Sequence, residues 1–385
     1  MTLSTGILLL AVALVFFGTN VYISCRMYSC FHAVFQNLSM RWFGVLCAGI
    51  VALAFLSLMR SRLPLRPSVK YALGLFGGYW MGMYVYLLLA LLAADLLLLV
   101  FGMFHIIRFP VTGSIRCVSG FAAILAAAGI VIAGTIHAGN ITHRAYDVST
   151  EKITDGGQWN IALVSDLHLG AVKSEKRLEK LVDKINTLQP DLVCIAGDIF
   201  DNDFSAILDT EKCARTLRKI QAEYGVYACL GNHDAGNTAA EMLNFLPSCN
   251  ITLLAENYES IGGKLVLAGR LDSSPIGGYG ERKRGDFGTA VSGADRNLPV
   301  IVLDHTPSHI GEYPDWVDLI LCGHTHRGQI FPGSLFTRKL FPVDYGIYRE
   351  NEDSPTVIVT SGAGTWGLPM RVGSDSEIVS IHLHG

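Results

Sequence analysis

The chain has 385 residues, of which 50% are hydrophobic and only 16% are charged, and its mean hydropathy is +0.38. A soluble domain usually has about a quarter charged residues, so this composition excludes an ordinary soluble enzyme along the whole length. The formal net charge of −3 averages two different parts. The residues before Asn140 carry a net charge of +7, with one acidic residue among them, and the remainder carries −10. The arithmetic therefore predicts a membrane region followed by a soluble domain.

Four apolar stretches in the first part are long enough to cross a bilayer, which takes about 20 residues. The third is overlong but has no turn signal, so we expect one tilted or protruding helix rather than two spans. We expect the first to be retained, because no basic residue precedes it as in a cleaved signal peptide. The stretches are residues 6–23, 43–59, 71–104 and 118–137. The predicted organisation is a four-helix transmembrane region at 1–140, a linker and first strand at 141–158, and a soluble domain at 159–385.

Basic residues between the spans indicate the orientation. Four of them lie in the second connection, against two in the first, Arg26 and Arg41, and two in the third. Cytoplasmic connections carry an excess of Lys and Arg, and four spans leave both termini on the side of the second connection. Nine cysteines without a CxxC pair suit a reducing compartment. We therefore expect a multi-pass protein of the cell membrane whose soluble domain is cytoplasmic.

Asp95 is the one acidic residue in the apolar stretches. An intramembrane carboxylate is costly and is often functional, which would suit an ion pathway. The alternative is a carboxyl group that is protonated or bonded to a neighbouring helix. With no second charge expected inside the membrane, the sequence favours that alternative.

Short β-branched apolar runs bounded by turn residues fill the second part, a pattern typical of buried strands. Two amphipathic segments, 174–188 and 207–224, are predicted helices. Together they predict a layered α/β domain with two β-sheets flanked by helices. The predicted strands are 161–165, 192–196, 226–230, 265–268, 300–303, 319–322, 357–360 and 378–383.

Five of these strands end in side chains that can bind a metal ion or move a proton. The residues concerned are Asp166, His168, Asp198, Asn232, His233, Asp234, Asp304, His305, His324 and His326. Open α/β sheets place their ligands at the carboxyl ends of the strands. Alternate residues of an extended segment point the same way, so Asp166 with His168, and His324 with His326, can converge. Mixed oxygen and nitrogen ligands favour Mn, Fe or Zn, and there are enough of them for two divalent ions about 3.5–4 Å apart.

These DxH, GD, GNHD, single-His and GHTH blocks resemble, in order, those of the calcineurin-like dinuclear metallophosphoesterases. Residues 323–329 and 368–371 are similar to the membrane-associated bacterial branch of that superfamily. The resemblance implies that Asp166, His168 and His326 bind the first metal, that Asp198 bridges, that Asn232, His305 and His324 bind the second, and that His233 is the acid, oriented by Asp234. It also implies attack on phosphorus by a hydroxide that bridges the two metals. Some relatives hydrolyse the pyrophosphate bond of UDP-diacylglucosamine.

Other polar residues near these blocks leave two interpretations open. Arg327 follows the last ligand where relatives often carry Gly, and it could grip a phosphate or be a solvated surface residue. Asp201 could orient a ligand or stabilise a turn. His309 follows a Pro-Ser turn, and we expect it at the surface and not among the ligands. The Gly- and Ser-rich segment 272–297 is expected to be a mobile loop.

The sequence thus predicts a membrane-anchored, metal-dependent phosphoesterase. Its expected partners are the lipid bilayer and a phosphorylated, lipid-linked or membrane-proximal substrate with a phosphate ester or pyrophosphate bond. The alternative is a catalytically silent membrane sensor or scaffold that uses the same fold. A net charge of −10 on the soluble part argues against nucleic acid as a partner. The sequence leaves the oligomeric state open.

Overall fold

The structure is a computed structural model that describes residues 3–154 and 156–385. The helices are α1 (Leu3–Val34), α2 (Met40–Leu58), α3 (Pro67–Met103), α4 (Gly113–Ala138), α5 (Ser174–Thr187), α6 (Thr210–Leu217), α7 (Ala239–Ser248), α8 (Phe287–Ala290) and α9 (Gly333–Leu340). The strands are β1 (Ile141–Ser149), β2 (Gln158–Val164), β3 (Leu192–Ala196), β4 (Val226–Cys229), β5 (Ile251–Leu253), β6 (Asn257–Ile261), β7 (Leu265–Gly269), β8 (Val300–Leu303), β9 (Leu319–Cys322), β10 (Gly346–Tyr348), β11 (Thr356–Val359) and β12 (Ser376–His384).

Helices α1 to α4 are each long and apolar enough to span a membrane. The four predicted stretches are therefore confirmed as helices, and the overlong third is a single helix of 37 residues. Helix α1 continues to Val34, well past the predicted end at residue 23. Its extension changes the count of basic residues between the spans, because Arg26 lies inside the helix and not in the first connection.

Asp95 on α3 is bonded to the neighbouring helix α1. The Nη2 atom of Arg26 lies 2.7 Å from Oδ1 of Asp95, and the hydroxyl of Tyr22 donates to Oδ2 at 2.6 Å. The expectation that Asp95 has no charged neighbour in the membrane is wrong, since Arg26 was assigned to a loop. A carboxylate paired with an arginine and a tyrosine has its charge satisfied between two helices, which favours a structural role over an ion pathway.

The chain forms two compact units whose boundary differs from the predicted one at residue 140. One unit comprises Met1–Arg60 and Phe76–Ala133, and the other comprises Ser61–Leu75 and Gly134–Gly385. Lys70 explains why the second connection belongs with the soluble domain. Its buried ammonium group lies 2.5 Å from the Asp203 carboxylate and 2.8 Å from the hydroxyl of Ser205. A buried charge requires such partners, so this segment packs where its lysine is neutralised.

The second unit contains two six-stranded sheets, as the sequence predicts. One has the order β1-β12-β2-β3-β4-β5, and the other has the order β10-β11-β9-β8-β7-β6. Strands β2, β3 and β4 pair in parallel in the first sheet, and β7, β8 and β9 do so in the second. Each sheet therefore presents several carboxyl ends at one edge. The layered α/β class is confirmed.

The main core lies between the sheets. Leu163 and Cys194 of the first sheet belong to one buried cluster with Leu303 and Leu321 of the second. Helices α5, α6 and α7 cover the other face of the first sheet through a separate cluster, which includes Leu181 and Met242. Strands buried on both faces read as continuous apolar runs, which is why the sequence showed them clearly.

Local signals misled the sequence analysis at two places. The helix predicted at 207–224 is only Thr210–Leu217. It begins there because the Asp209 side chain accepts from the backbone N–H of Lys212. The segment 272–297 is packed against the domain rather than loose. Tyr279 and Phe287 are buried, and Arg284 makes a bidentate ion pair with Asp304 at 2.8 and 2.9 Å.

Candidate metal centre

The predicted ligands follow the carboxyl ends of five strands that belong to both sheets. Strands β2, β3 and β4 end just before Asp166, Asp198 and Asn232, and β8 and β9 end just before His305 and His324. The expectation that the DxH and HTH pairs are extended is wrong. The backbone φ angles of Asp166, His168, His324 and His326 are 55°, 47°, 72° and 48°, in the left-handed region. Tight turns, not strand alternation, make these side chains converge, and such strained backbone is concentrated at functional sites.

Glycine precedes several ligands because the neighbouring chain passes too close for a side chain. A Cβ atom at Gly231 would lie 2.4 Å from the backbone nitrogen of Asp198 and 2.2 Å from its Oδ1 atom. A Cβ atom at Gly323 would lie 2.4 Å from Oγ of Ser165 and 2.6 Å from Oδ2 of Asp166. The glycines of the GN and GH blocks therefore allow strand ends to approach one another closely.

The first group of ligand atoms comes from Asp166, His168 and His326, all buried. Nε2 of His326 lies 3.1 Å from Nε2 of His168 and 3.3 Å from Oδ1 of Asp166. Two imidazole nitrogens and a carboxylate oxygen at this spacing can share one cation. The structure thus brings together the three residues expected at the first metal.

The second group comes from Asp198, His305 and His324, with Asn232 beside them. Nδ1 of His324 lies 2.9 Å from Oδ1 of Asn232 and 3.3 Å from Nε2 of His305. Nε2 of His305 lies 3.2 Å from Oδ2 of Asp198. These are the four residues expected at the bridging position and at the second metal.

Asp198 lies between the two groups. Its Oδ2 atom faces His305 at 3.2 Å and also faces Nε2 of His168 at 3.7 Å. Its Oδ1 atom accepts from the backbone N–H of His233 at 2.8 Å. Burial works to raise the pKa of Asp198, but the imidazoles of His305, His233 and His168 outweigh it and lower that pKa. The carboxylate is therefore ionised and suited to bridging two cations.

Outer contacts hold the imidazole rings in orientations that suit metal binding. Nδ1 of His305 lies 2.7 Å from the carbonyl oxygen of Ala196, so it carries the proton and leaves Nε2 free to bind a metal. Nδ1 of His168 faces Oδ1 of Asp201 at 3.5 Å. That contact favours an orienting role for Asp201, one of the two interpretations that the sequence left open.

The chemistry of the donor set fits divalent cations. Asp166 and Asp198 are buried carboxylates that face imidazole nitrogens. Burial, together with the neighbouring His305, lowers the pKa of His324 to about 4, and burial lowers the pKa of His326 as well. For His305 and His168 the neighbouring carboxylates outweigh burial and raise the pKa, so a bound cation would have to displace a proton there. Neutral imidazole is the form that binds metal. Two cations would compensate the buried carboxylates and satisfy the imidazole nitrogens at once.

His233 lines the cavity in front of the ligands but belongs to neither set described above. Its ring lies edge-on to His168 and to Trp366, at centroid distances of 5.1 and 5.7 Å. Burial lowers the pKa of His233. The expectation that Asp234 orients this ring is wrong. The carboxylate of Asp234 accepts from the backbone N–H groups of Phe200 and Gly231, and Nδ1 of His233 has no hydrogen-bond partner in the described part of the chain.

Arg327 has its guanidinium carbon 4.3 Å from the ring centroid of Tyr345. The residues that line the cavity include its neighbours His326 and Gly328 but not Arg327. This stacking favours the interpretation of a partly exposed residue over that of a phosphate ligand. Binding of substrate by Arg327 stays a prediction.

A cavity of about 460 Å³ opens onto the ligands, and much of its wall is apolar. The residues that form this wall were not predicted from the sequence, because they are scattered along the chain and carry no metal-binding groups. They are Ile276, Ile330, Phe341, Trp366 and Leu368. The sequence also indicated no role for Arg371, a buried residue that donates to the carbonyl oxygens of Ser361 and Gly364 and contacts His326.

Comparison with known proteins identifies the family. The sequence profile of the calcineurin-like phosphoesterases matches residues 160–328. An uncharacterized metallophosphoesterase of Aquifex aeolicus is 32% identical over 241 residues, which cover 62% of this chain and 90% of that protein. The chain belongs to the calcineurin-like metallophosphoesterase family. The family is dinuclear and metal-dependent, in agreement with the groups around Asp166 and Asp198; the third group of possible ligand atoms, from His168, Asp201 and His233, shares His168 with the first.

Other relatives share the family domain within longer proteins. An uncharacterized metallophosphoesterase of Helicobacter pylori is 32% identical, with 58% of this chain and 59% of that protein covered. A Danio rerio protein named transmembrane protein with metallophosphoesterase domain is 31% identical, with 62% and 56% covered. The chain thus spans less than two thirds of the length of these relatives. The second name associates the family domain with a membrane region.

Two histidines close in sequence provide a matched test of the metal centre. We expect His305→Ala to lower bound metal substantially, because it removes a nitrogen ligand at the shared carboxylate. We expect His309→Ala to leave the metal content unchanged, because His309 is hydrogen-bonded to Ser273 and paired with Glu312. Elemental analysis of both purified variants measures the difference. Equal metal loss from both would contradict the assigned ligand set.

Proposed function

We propose that this protein is a membrane-anchored phosphoesterase that hydrolyses a phosphate ester or pyrophosphate bond of a lipid-linked or membrane-proximal substrate. The observation that supports it most directly is the complete set of ligand atoms around Asp198, with the ring of His233 beside them in an open cavity. A domain that had lost catalysis would have no need to retain a proton donor there. The proposed metals are Mn, Fe or Zn, on the mixed nitrogen and oxygen ligands.

The residues of the site would have two roles, metal binding and proton donation. Asp166, His168, Asp198, Asn232, His305, His324 and His326 would hold the two cations. When bound, the cations would stabilise negative charge on phosphoryl oxygens and acidify water. His233 would donate a proton or hydrogen bond to the departing oxygen, since its ring faces the cavity. The backbone bond from His233 to Asp198 would keep that donor at a constant distance from the centre.

The wall of the cavity supports a substrate with a lipid part. Trp366 and Ile276 are half exposed at the cavity, at 50% and 47%, and Phe341 and Leu368 line it further. An acyl or prenyl chain would bury this apolar surface favourably. The four spanning helices would give access to such a substrate.

The location that we propose is the cell membrane, with the catalytic domain on the cytoplasmic side. Support comes from the basic second connection, which retains Arg60, Arg62 and Arg66 apart from the paired Lys70. The connection and the domain form one compact unit, so they share a side of the membrane.

Limited trypsin digestion tests that orientation at Arg349, an exposed residue that directly follows β10. We expect cleavage there in inside-out membrane vesicles and protection in right-side-out vesicles, because trypsin does not cross a bilayer. Detergent permeabilisation of the right-side-out vesicles should restore cleavage. The opposite pattern would place the domain outside the cytoplasm.

Turnover of a soluble aryl phosphodiester by the metal-loaded full chain tests the activity itself. We expect Asp198→Asn to abolish turnover with loss of metal. We expect His233→Ala to lower kcat by about 10²–10⁴-fold with the metal content unchanged, because general acid catalysis contributes on that order. Absence of turnover in the fully metal-loaded native chain, on this and on lipid phosphoesters, would favour the silent sensor or scaffold.

Arg327→Ala separates the two interpretations of that residue. If the guanidinium grips a phosphoryl oxygen, KM should rise while kcat and metal content stay the same. If it only stacks on Tyr345, the kinetic constants should not change. Tyr345→Leu is the matched control, because it removes the stacking partner and keeps the charge.

A further inference from the structure

Helix α9 leaves apolar side chains in solvent. Leu335, Phe336 and Leu340 are 51%, 64% and 73% exposed, and Phe331 just before the helix is 49% exposed. None of the eight residues of α9 is buried. A surface helix of a soluble domain normally turns its apolar face to the core. We call these four side chains the α9 patch.

The charges next to the patch are basic. Arg338 and Lys339 occupy the last turn of α9, and the helix contains no acidic residue. A short helix that exposes apolar and basic side chains together has the composition of an element that lies in the interface of an anionic bilayer. Simple exposure to water explains the basic residues but not the four apolar ones.

Helix α9 also forms part of the wall of the catalytic cavity. Gly333 and Thr337 line the cavity together with His324 and His326. The Thr337 hydroxyl donates to Oδ2 of Asp344 at 2.8 Å, and the Thr325 hydroxyl, between the two histidines, donates to the carbonyl oxygen of Asp344 at 2.6 Å. The helix is therefore fixed to the turn that carries two metal ligands.

The segment before α9 is linked to the end of a membrane-spanning helix. The backbone of Phe331 donates to the carbonyl oxygen of Val372 at 2.8 Å, and Ile330 forms a bridge with Val372. The backbone N–H of Arg371, the residue before Val372, donates to the carbonyl oxygen of Gly134 at 3.0 Å. Gly134 lies near the last turn of α4, which ends at Ala138. Since that helix is apolar enough to span the bilayer, the membrane surface is expected close to this point.

We propose that the α9 patch inserts into the interfacial layer of an anionic bilayer, so that the mouth of the catalytic cavity meets the lipid headgroups. The occupant of the patch is the lipid bilayer itself. Phe331, Leu335, Phe336 and Leu340 enter the boundary of the acyl chains, and Arg338 and Lys339 contact anionic headgroups. The docking is independent of catalysis. Its consequence for substrate access rests on the proposed phosphoesterase function.

Photo-crosslinking in the full chain tests the docking directly. A benzophenone amino acid replaces Phe336 in one variant, Leu208 in a second and Leu14 in a third, and each is reconstituted in vesicles of phosphatidylcholine and phosphatidylglycerol. Leu208 is a matched control in the soluble domain, 47% exposed, and Leu14 is a membrane control in α1, 64% exposed. We expect lipid adducts at Phe336 and Leu14 and none at Leu208. Absence of a lipid adduct at Phe336, or a crosslink there to a second copy of the chain, overturns the proposal.

A triple variant measures what the docking does. Leu335→Ser/Phe336→Ser/Leu340→Ser removes apolar area outside the cavity lining, so turnover of a soluble aryl phosphodiester in detergent should stay within about twofold. For a lipid phosphoester presented in the same vesicles we expect kcat/KM to fall at least about tenfold, because interfacial binding scales with buried apolar area. An equal effect on both substrates would contradict the proposal. If the native chain has no turnover at all, the proposed function fails while the crosslinking result still decides the docking.

Discussion

The buried carboxylate of Asp198 is the constraint on which the site depends. It follows a strand of the first sheet, yet it faces His305, which follows a strand of the second. The packing of the two sheets therefore decides whether the ligand groups meet. A buried anion surrounded by imidazoles, with no lysine or arginine beside it among the described residues, is satisfied best by cations. The close approaches at Gly231 and Gly323 and the left-handed backbone of the ligands bring the ligand groups together around it.

The polar contacts around the ligands form a second layer of support. The carbonyl oxygen of Ala196 sets the tautomer of His305, and Asp201 faces the outer nitrogen of His168. Asp234 acts one step further out, because its carboxylate holds two backbone N–H groups of neighbouring loops and not the His233 ring. Burial raises the pKa of Asp234 to about 7. Ionising a carboxyl group that holds these loops from inside the domain is therefore unfavourable.

Two ion pairs hold segments of the first 140 residues in place. The second connection packs with the metallophosphoesterase domain through the buried pair of Lys70 and Asp203, so a segment that looked like a simple loop is part of that unit. Within the other unit, the ion pair of Arg26 and Asp95 joins two helices. Each pair contains a basic residue, Arg26 or Lys70, that a count of basic residues between the spans takes as a signal of membrane orientation. Charge counting alone therefore overestimates how many basic residues are free to interact with lipid headgroups.

The sequence by itself determined the four apolar helices, the layered α/β class, the central strands and the seven candidate metal ligands. Continuous apolar runs and the ordered Asp, Asn and His blocks are local patterns, and each can be read without knowing what lies across the fold. Only the tertiary structure decided what Arg26, Lys70 and Asp234 contact. Asp95, Asp203 and Phe200, their partners, are distant in the chain, so no spacing rule reveals them. The left-handed turns belong to the same class, because the close approach of two sheets imposes them on residues that otherwise favour extended backbone.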